Sequence, residues 1–352
     1  MKIALLSTYN AFTNNSGEGQ KRYAFQIYEN IRKQTKNKDY KNIKIIKFES
    51  SKRIGILPSF FLENSFKNFN SFDLLHLLGQ LPFINIFNNK CKIAVTAHDF
   101  RPLLDPVWDE EIGKSINDKV YKIFAILGSK LALKADFLLS NSTQTKKEAI
   151  RLGYPKENIY VVNLGIEKRF INSENKLGLT NKENFRAGYL GSFMKHKNLR
   201  FIFQASKSIT DDKILFNIYG NENTDQEKLL QHLSEFPKIK FMGFAPEEKI
   251  VEIYDSFDVF VFPSLYEGFG LPILEAQARG LPVIIYKYGK IPKEVRKYCF
   301  EAESPEHMAQ IIEELKENGY NEKERKKAME YARSFTWERT ARETLEIYRK
   351  LQ

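Results

Sequence analysis

The sequence predicts an α/β protein built from two doubly wound, parallel-sheet domains. Three observations carry this. Short apolar runs alternate with helical patterns along the chain, the alternation lapses once into polar residues near 165–185 before restarting, and 352 residues exceed one average core. Lys2 to Ser7 is the first apolar run, and a helix follows with Tyr23, Ile27 and Ile31 on its buried face. Between them Gly17 and Gly19 precede the helix, where glycines let backbone amides approach an anion. Ile43–Phe48, Phe72–Leu78, Ile93–Ala97, Ala135–Ser140 and Ile159–Val162 continue as strands. After the polar stretch come Phe185–Leu190, Ile214–Tyr219, Ile239–Met242, Val259–Phe262 and Val283–Tyr286, with helices over 198–209, 225–234 and 247–256 between them. The simplest architecture is two such domains with a cleft between them, 1–170 and 185–334, joined by a linker over 171–184 and closed by a helix over 335–352.

Composition narrows the classes. Hydrophobic residues make up 42% and Gly plus Pro only 30 of 352, which excludes a disordered or fibrous chain. Cys91 and Cys299 are too few for a disulfide framework, and no apolar stretch reaches the roughly 18 residues of a membrane span. With no signal segment before MKIALLS, the expected compartment is the cytoplasm. The net charge of +11 is one-sided: residues 1–176 hold 28 Lys/Arg against 17 Asp/Glu, leaving 27 against 27 in the rest. A basic half suits nucleic acid, anionic lipid or a phosphorylated substrate, and the sign does not choose among them.

Chemistry concentrates in FVFPSLYEGFGLPILEAQARGLPVI, residues 260–284. An apolar strand ends at Pro263-Ser264, a loop carries Glu267, Gly268, Phe269 and Gly270, and Pro272 opens a helix containing Glu275. A glycine loop at a helix start is an anion site. One carboxylate on the loop and one a turn inside the helix can address one ligand from two sides. His98-Asp99 ends another predicted strand, a position from which an imidazole can reach a ligand. Asp99 has three open roles: orienting His98, contacting an acceptor, or capping the following turn. His76 also ends a strand, and structural and site roles are equally open for it.

The E-x7-E spacing of Glu267 and Glu275 resembles glycosyltransferase family 4, retaining enzymes of the GT-B fold. YLGSFMKHKN at 189–198 resembles that family's donor-phosphate segment, DFLLSNSTQTKKEAIRLGYPKENIYVVNLGIEKRF its approach to the linker, and FTWERTARETLEIY its closing helix, which returns to the N-terminal domain. The resemblance implies a nucleotide-sugar donor on the C-terminal domain and an acceptor on the N-terminal domain. It implies His98, Glu267 and Lys197 as catalytic, and Gly17, Gly19, Ser192, His196, Lys197, Gly268, Phe269, Gly270 and Glu275 as donor-binding. Asp99 is implied at the acceptor.

Ser192 and His196 stand where the family often has arginine, and either Lys195 or His196 compensates. No Asp-x-Asp pair is present, so the expected reaction needs no metal and no cofactor, with lysine, amides and a helix terminus supplying positive potential. HDFRPLLDP resembles the form frequent in mannosyltransferases of surface-glycan assembly, which favours GDP-mannose. The acceptor expectation is a lipid-linked or saccharide hydroxyl. Lys33, Lys36, Lys38, Lys41, Lys44, Lys47, Lys52 and Arg53 beside Phe60, Phe61, Phe66 and Phe69 suit peripheral contact with an anionic membrane rather than nucleic acid, with packing in the core of the first domain equally open for most of the phenylalanines. The competing reading is an inactive nucleotide-sugar-binding subunit, for which Ser192 speaks and the retained Glu267, Glu275, Lys197 and His98 do not.

Overall fold

The computed structural model describes residues 1–7, 19–36, 40, 42–49, 68–80, 90–105, 108, 116–172, 184–220 and 233–351. Gly17, Lys38, Lys41, Lys52, Arg53, Phe60, Phe61 and Phe66 lie outside them, as does most of the helix expected over 225–234. The chain forms two compact units, one of Met1–Gly165 with Thr336–Gln352, the other of Ile166–Phe335.

In the first unit β1 (Lys2–Ser7), β2 (Lys44–Glu49), β3 (Leu74–Leu77), β4 (Lys92–Ala97), β5 (Phe137–Ser140) and β6 (Ile159–Val161) form one parallel sheet in the order β2-β1-β3-β4-β5-β6. Every residue of β3 and all but the first of β1 and β4 are buried, as expected for strands covered on both faces. β2 is the edge, and its exposed Lys44 and Lys47 discourage pairing with another strand. Lys33, in the last turn of the helix Gly19–Gln34, complements the negative end of that helix. These lysines therefore have structural reasons of their own. Phe69 departs from the expected membrane-facing set: it is 1% exposed and packs edge-on against Phe48 and obliquely against Phe72 in the core.

The final helix, Trp337–Lys350, packs in this unit with the helix Gly19–Gln34. Thr336 caps it by accepting the Arg339 amide at 3.2 Å, and the Thr340 hydroxyl donates to the Asn163 carbonyl at 2.8 Å.

The second unit contains β7 (Phe185–Leu190), β8 (Ile214–Tyr219), β9 (Ile239–Gly243), β10 (Val259–Phe262), β11 (Val283–Tyr286) and β12 (Phe300–Ala302), parallel in the order β12-β11-β10-β7-β8-β9. β12 has only three residues, two of them half-buried, so no apolar run announces it. Gly188 of β7 sits where a Cβ would lie 2.2 Å from the Phe257 ring, so only glycine lets that ring cross the strand. This unit begins at Ile166, four residues before the expected end of the first domain. Phe170 is fully buried and packs edge-on against Tyr254 at 5.8 Å.

Beneath the sheet, the fully buried Arg279 meets both oxygens of Asp255 at 2.8 Å. Removing one partner strands the other charge in a low-dielectric interior. Arg279→Ala should therefore cost about 3–5 kcal/mol of stability, read as a lower urea midpoint; an unchanged midpoint would show that the pair contributes nothing.

Candidate functional site

Two loops meet where the strand order of the second unit reverses. β7 neighbours β10 on one side and β8 on the other, so the connections leaving the carboxyl ends of β7 and β10 run apart to opposite sides and open a crevice there. The loop after β7 carries Ser192 to Asn198 and the loop after β10 carries Pro263 to Gly270. They are laced together: the Leu265 amide donates to the His196 carbonyl at 2.7 Å, and the Asn198 side-chain amide donates to the Pro263 carbonyl at 3.1 Å. Asn198 adopts the left-handed conformation (φ 57°) to make this turn, which asparagine tolerates better than most residues.

Across this junction the Lys197 ammonium donates to the Glu267 carboxylate at 2.6 Å, with both side chains mostly buried. The Lys197 Nζ also lies 5.2 Å from the centre of the Phe262 ring at the end of β10. Glu267 is fixed from behind by its amide, which donates to the Lys290 carbonyl at 2.9 Å. Of the two alternatives for the missing arginine, His196 turns inward at 8% exposure and Lys195 faces solvent. Ser192 contributes its carbonyl, which accepts the Tyr189 hydroxyl at 2.6 Å. Burial and the nearby Glu267 hold that phenol well above its ordinary pKa, so it stays a donor.

Gly270 ends the loop at φ 100°, the N-cap of the helix Leu271–Ala278, and Pro272 occupies the first turn. Phe269 is buried and packs on Phe335 with ring centres 6.2 Å apart, so its side chain anchors the loop. Glu275 is 4% exposed and accepts the Tyr254 hydroxyl at 3.0 Å. The second unit thus brings together Lys197, Glu267 and the loop Gly268–Gly270 ahead of the helix that holds Glu275. Tyr189 and Tyr254, which hold the Ser192 turn and Glu275, carry no motif signal.

In the first unit His98 follows β4 and is 8% exposed. Its Nε2 lies 3.4 Å from the Leu78 carbonyl, while its own carbonyl accepts the Asn141 side-chain amide at 2.9 Å. Asp99 accepts the Arg101 amide at 3.0 Å, a contact within the turn that follows β4. Gly19 opens its helix exposed, and a Cβ there would meet nothing within 4 Å. His76 is fully buried, bonded to Thr96 and Tyr348, and serves structure. Among the described residues no cluster of three or more His, Cys, Asp or Glu is suited to a metal, and no helix is long and apolar enough to cross a membrane.

Residues 171–335 match the glycosyl transferases group 1 family. O-antigen chain mannosyltransferase B of Escherichia coli is 27% identical over 233 residues, 62% of this chain and 61% of that protein. D-inositol 3-phosphate glycosyltransferase of Corynebacterium urealyticum is 27% identical over 225 residues, 58% of this chain and 52% of that protein. The chain therefore spans less than two thirds of the length of these relatives. Sucrose-phosphate synthase of Thermosynechococcus elongatus superposes with a TM-score of 0.76 at 17% identity, covering 99% of this chain and 98% of that one. Anabaena HepE, solved with UDP and glucose, superposes with a TM-score of 0.70 at 17% identity, covering 99% and 100%. The resemblance and the GT-B fold expected from the sequence both hold, and the site above lies inside the group 1 region.

Outside that region, burial lowers the pKa of His98 to about 4 and, with His98 nearby, that of His76 to about 3. Both rings are neutral at pH 7. The unfolded chain takes up protons at these positions below its ordinary value of 6.5, while the folded chain does so only below about 4. Stability conferred by the neutral rings is complete above pH 6.5 and declines as the pH falls. Between pH 7 and 5 the free energy of unfolding should fall by about 3–4 kcal/mol, the slope steepening to roughly 2–3 kcal/mol per unit at the acid end as both rings contribute; a flat denaturant midpoint over that range would contradict it.

Proposed function

We propose that the chain is a retaining glycosyltransferase that moves a hexose from a nucleotide-sugar to a lipid-linked or saccharide hydroxyl without a metal ion. The observation that carries this is the Lys197–Glu267 pair, set beside a glycine loop and a helix N-terminus at the strand-order reversal of a group 1 domain. Cleaving the bond from sugar to diphosphate leaves negative charge on the diphosphate, and prearranged donors aimed at that charge lower the barrier. An ammonium has three N–H donors, so Lys197 can hold a phosphate oxygen with one while Glu267 keeps another. The backbone amides of Phe269 and Gly270 and the positive end of the helix Leu271–Ala278 add potential of the same sign.

In this reading Glu267 contacts the donor sugar and Glu275 the ribose hydroxyls, with Ser192 and His196 lining the phosphate side. His98, carried by the first unit, reaches the transferred sugar or its phosphate as a neutral imidazole. Gly17 and Gly19 serve the donor and Asp99 adjoins the acceptor. Retention follows from same-face displacement: the acceptor oxygen bonds to the anomeric carbon on the face the diphosphate leaves, and a phosphate oxygen takes the acceptor proton. The similarity to an O-antigen chain mannosyltransferase favours mannose and surface-glycan synthesis.

Purified protein incubated with GDP-mannose, UDP-glucose, UDP-N-acetylglucosamine and UDP-galactose in EDTA, with lipid-linked and saccharide acceptors, should release nucleotide from one donor, GDP-mannose being expected. Lys197→Ala should then lower kcat about 100-fold, while Glu275→Ala should weaken nucleotide binding about tenfold. Unchanged kinetics in both variants would overturn the site assignment, and binding without release under every acceptor would favour an inactive binding subunit.

A lipid-linked acceptor implies work at a membrane surface on the cytoplasmic side. Support comes from the helix Ile116–Ala132, where Ile116, Tyr121 and Ile123 are 63%, 54% and 62% exposed beside Lys119 and Lys122. Cosedimentation with anionic vesicles should be salt-sensitive and should weaken in Ile123→Glu. Equal recovery with neutral vesicles would overturn the contact.

A further inference from the structure

The His98 ring makes a single hydrogen bond among the described residues, the 3.4 Å contact with the Leu78 carbonyl. What holds it laterally is Tyr23, whose ring meets the imidazole edge-on with centres 5.0 Å apart at 81°. Tyr23 is 2% exposed and is itself tied down: its hydroxyl lies 2.9 Å from the Thr96 hydroxyl. Thr96 belongs to β4 and lies two residues before His98, and Tyr23 contacts both side chains. The Thr96 hydroxyl lies 2.8 Å from Nε2 of His76 on β3, and Nδ1 of His76 lies 2.5 Å from the Tyr348 hydroxyl on the final helix. The Trp337 ring of the same helix stands 6.1 Å from the Tyr23 ring.

The final helix therefore reaches Tyr23 twice, by ring packing at its start and through three hydrogen bonds near its end. Hydrogen inventory gives the chain its stiffness. A neutral imidazole has one donor and one acceptor, and each hydroxyl donates once. If Tyr348 donates to His76, His76 donates to Thr96; if Tyr348 accepts, Thr96 donates to His76. One end sets the sense of the next link. Packing alone would be served as well by apolar side chains, so four buried polar groups joined end to end fix one arrangement at a desolvation cost.

We propose that Tyr23 is a positioning residue for His98 and that the final helix sets its place through Tyr348, His76 and Thr96. The proposal rests on His98 serving the transfer reaction as read above, and its test separates the two. Imidazole nitrogen signals of the full chain report ring placement without reference to activity. The chain has five histidines, and the His98 signals are those lost in His98→Gln.

Tyr348→Phe removes the hydroxyl farthest along the chain from His98, Thr96→Val removes the central one at nearly constant shape, and Thr96→Ser restores it. Tyr348→Phe and Thr96→Val should shift the His98 signals and lower kcat about tenfold with donor KM unchanged, because a catalytic ring moved by a fraction of an ångström loses rate before binding. Thr96→Ser should return both towards the original values. If Thr96→Val does not fold, Tyr348→Phe alone carries the test. Folded variants with unmoved His98 signals would overturn the positioning role, whereas a fully active His98→Gln protein would overturn the reaction role beneath it.

Discussion

The ion pair between Lys197 and Glu267 is where the second unit's fold becomes chemistry. Its two residues are seventy positions apart, and a contact of 2.6 Å exists only because β7 and β10 are neighbours in the sheet. That adjacency reverses the strand order, so the loops leaving the two strands open a crevice instead of covering each other. The remaining contacts hold the pair in place. The Leu265 amide docks on His196, the Asn198 side chain on Pro263, and the Glu267 amide on Lys290. Gly270, at φ 100°, then turns the chain so that the first turn of the helix Leu271–Ala278 begins beside the pair.

A buried pair of this kind is a poor source of stability, because removing both charges from water offsets most of their attraction. Its value here is readiness. In the proposed reaction a mostly buried ammonium, already held in place, would meet the diphosphate, with its partner carboxylate balancing the charge until then. Glu275 is treated differently. It sits deeper, on a helix, with the Tyr254 hydroxyl bonded to one of its oxygens.

The first unit solves the opposite electrostatic problem. Among the described residues its buried histidines are bonded to hydroxyls and a carbonyl, and burial lowers their pKa to about 4 at His98 and about 3 at His76. A neutral ring at His98 can take or give a hydrogen bond without carrying charge towards a phosphorylated ligand. His76 shows why strand-end position is not enough to assign a role: it is fully buried, and its nitrogens are engaged by Thr96 and Tyr348.

Local chemistry determined a great deal from the sequence alone. Eleven of the twelve described strands follow from apolar runs bounded by polar residues, because a strand buried on both faces must be largely apolar. The loop Gly268–Gly270, the helix start at Pro272 and the spacing of Glu267 and Glu275 are legible because turn and cap chemistry lies within a few residues. β12 escaped, being three residues long and only partly apolar. Phe69 stood open between surface and core because hydrophobic side chains carry no mark of which neighbour they will meet; Phe48 and Phe72 claim it in the core. The inward turn of His196 over Lys195, the bond from the Arg101 amide to Asp99, the tyrosines behind Ser192 and Glu275, and the chain from Tyr348 to Tyr23 were decided only in three dimensions. Tyr348 and His76 are 272 residues apart, and their bond exists only because the final helix packs back onto the first sheet. Sequence pattern reports the environment a residue needs over a few neighbours, whereas the partner that satisfies it is supplied by topology.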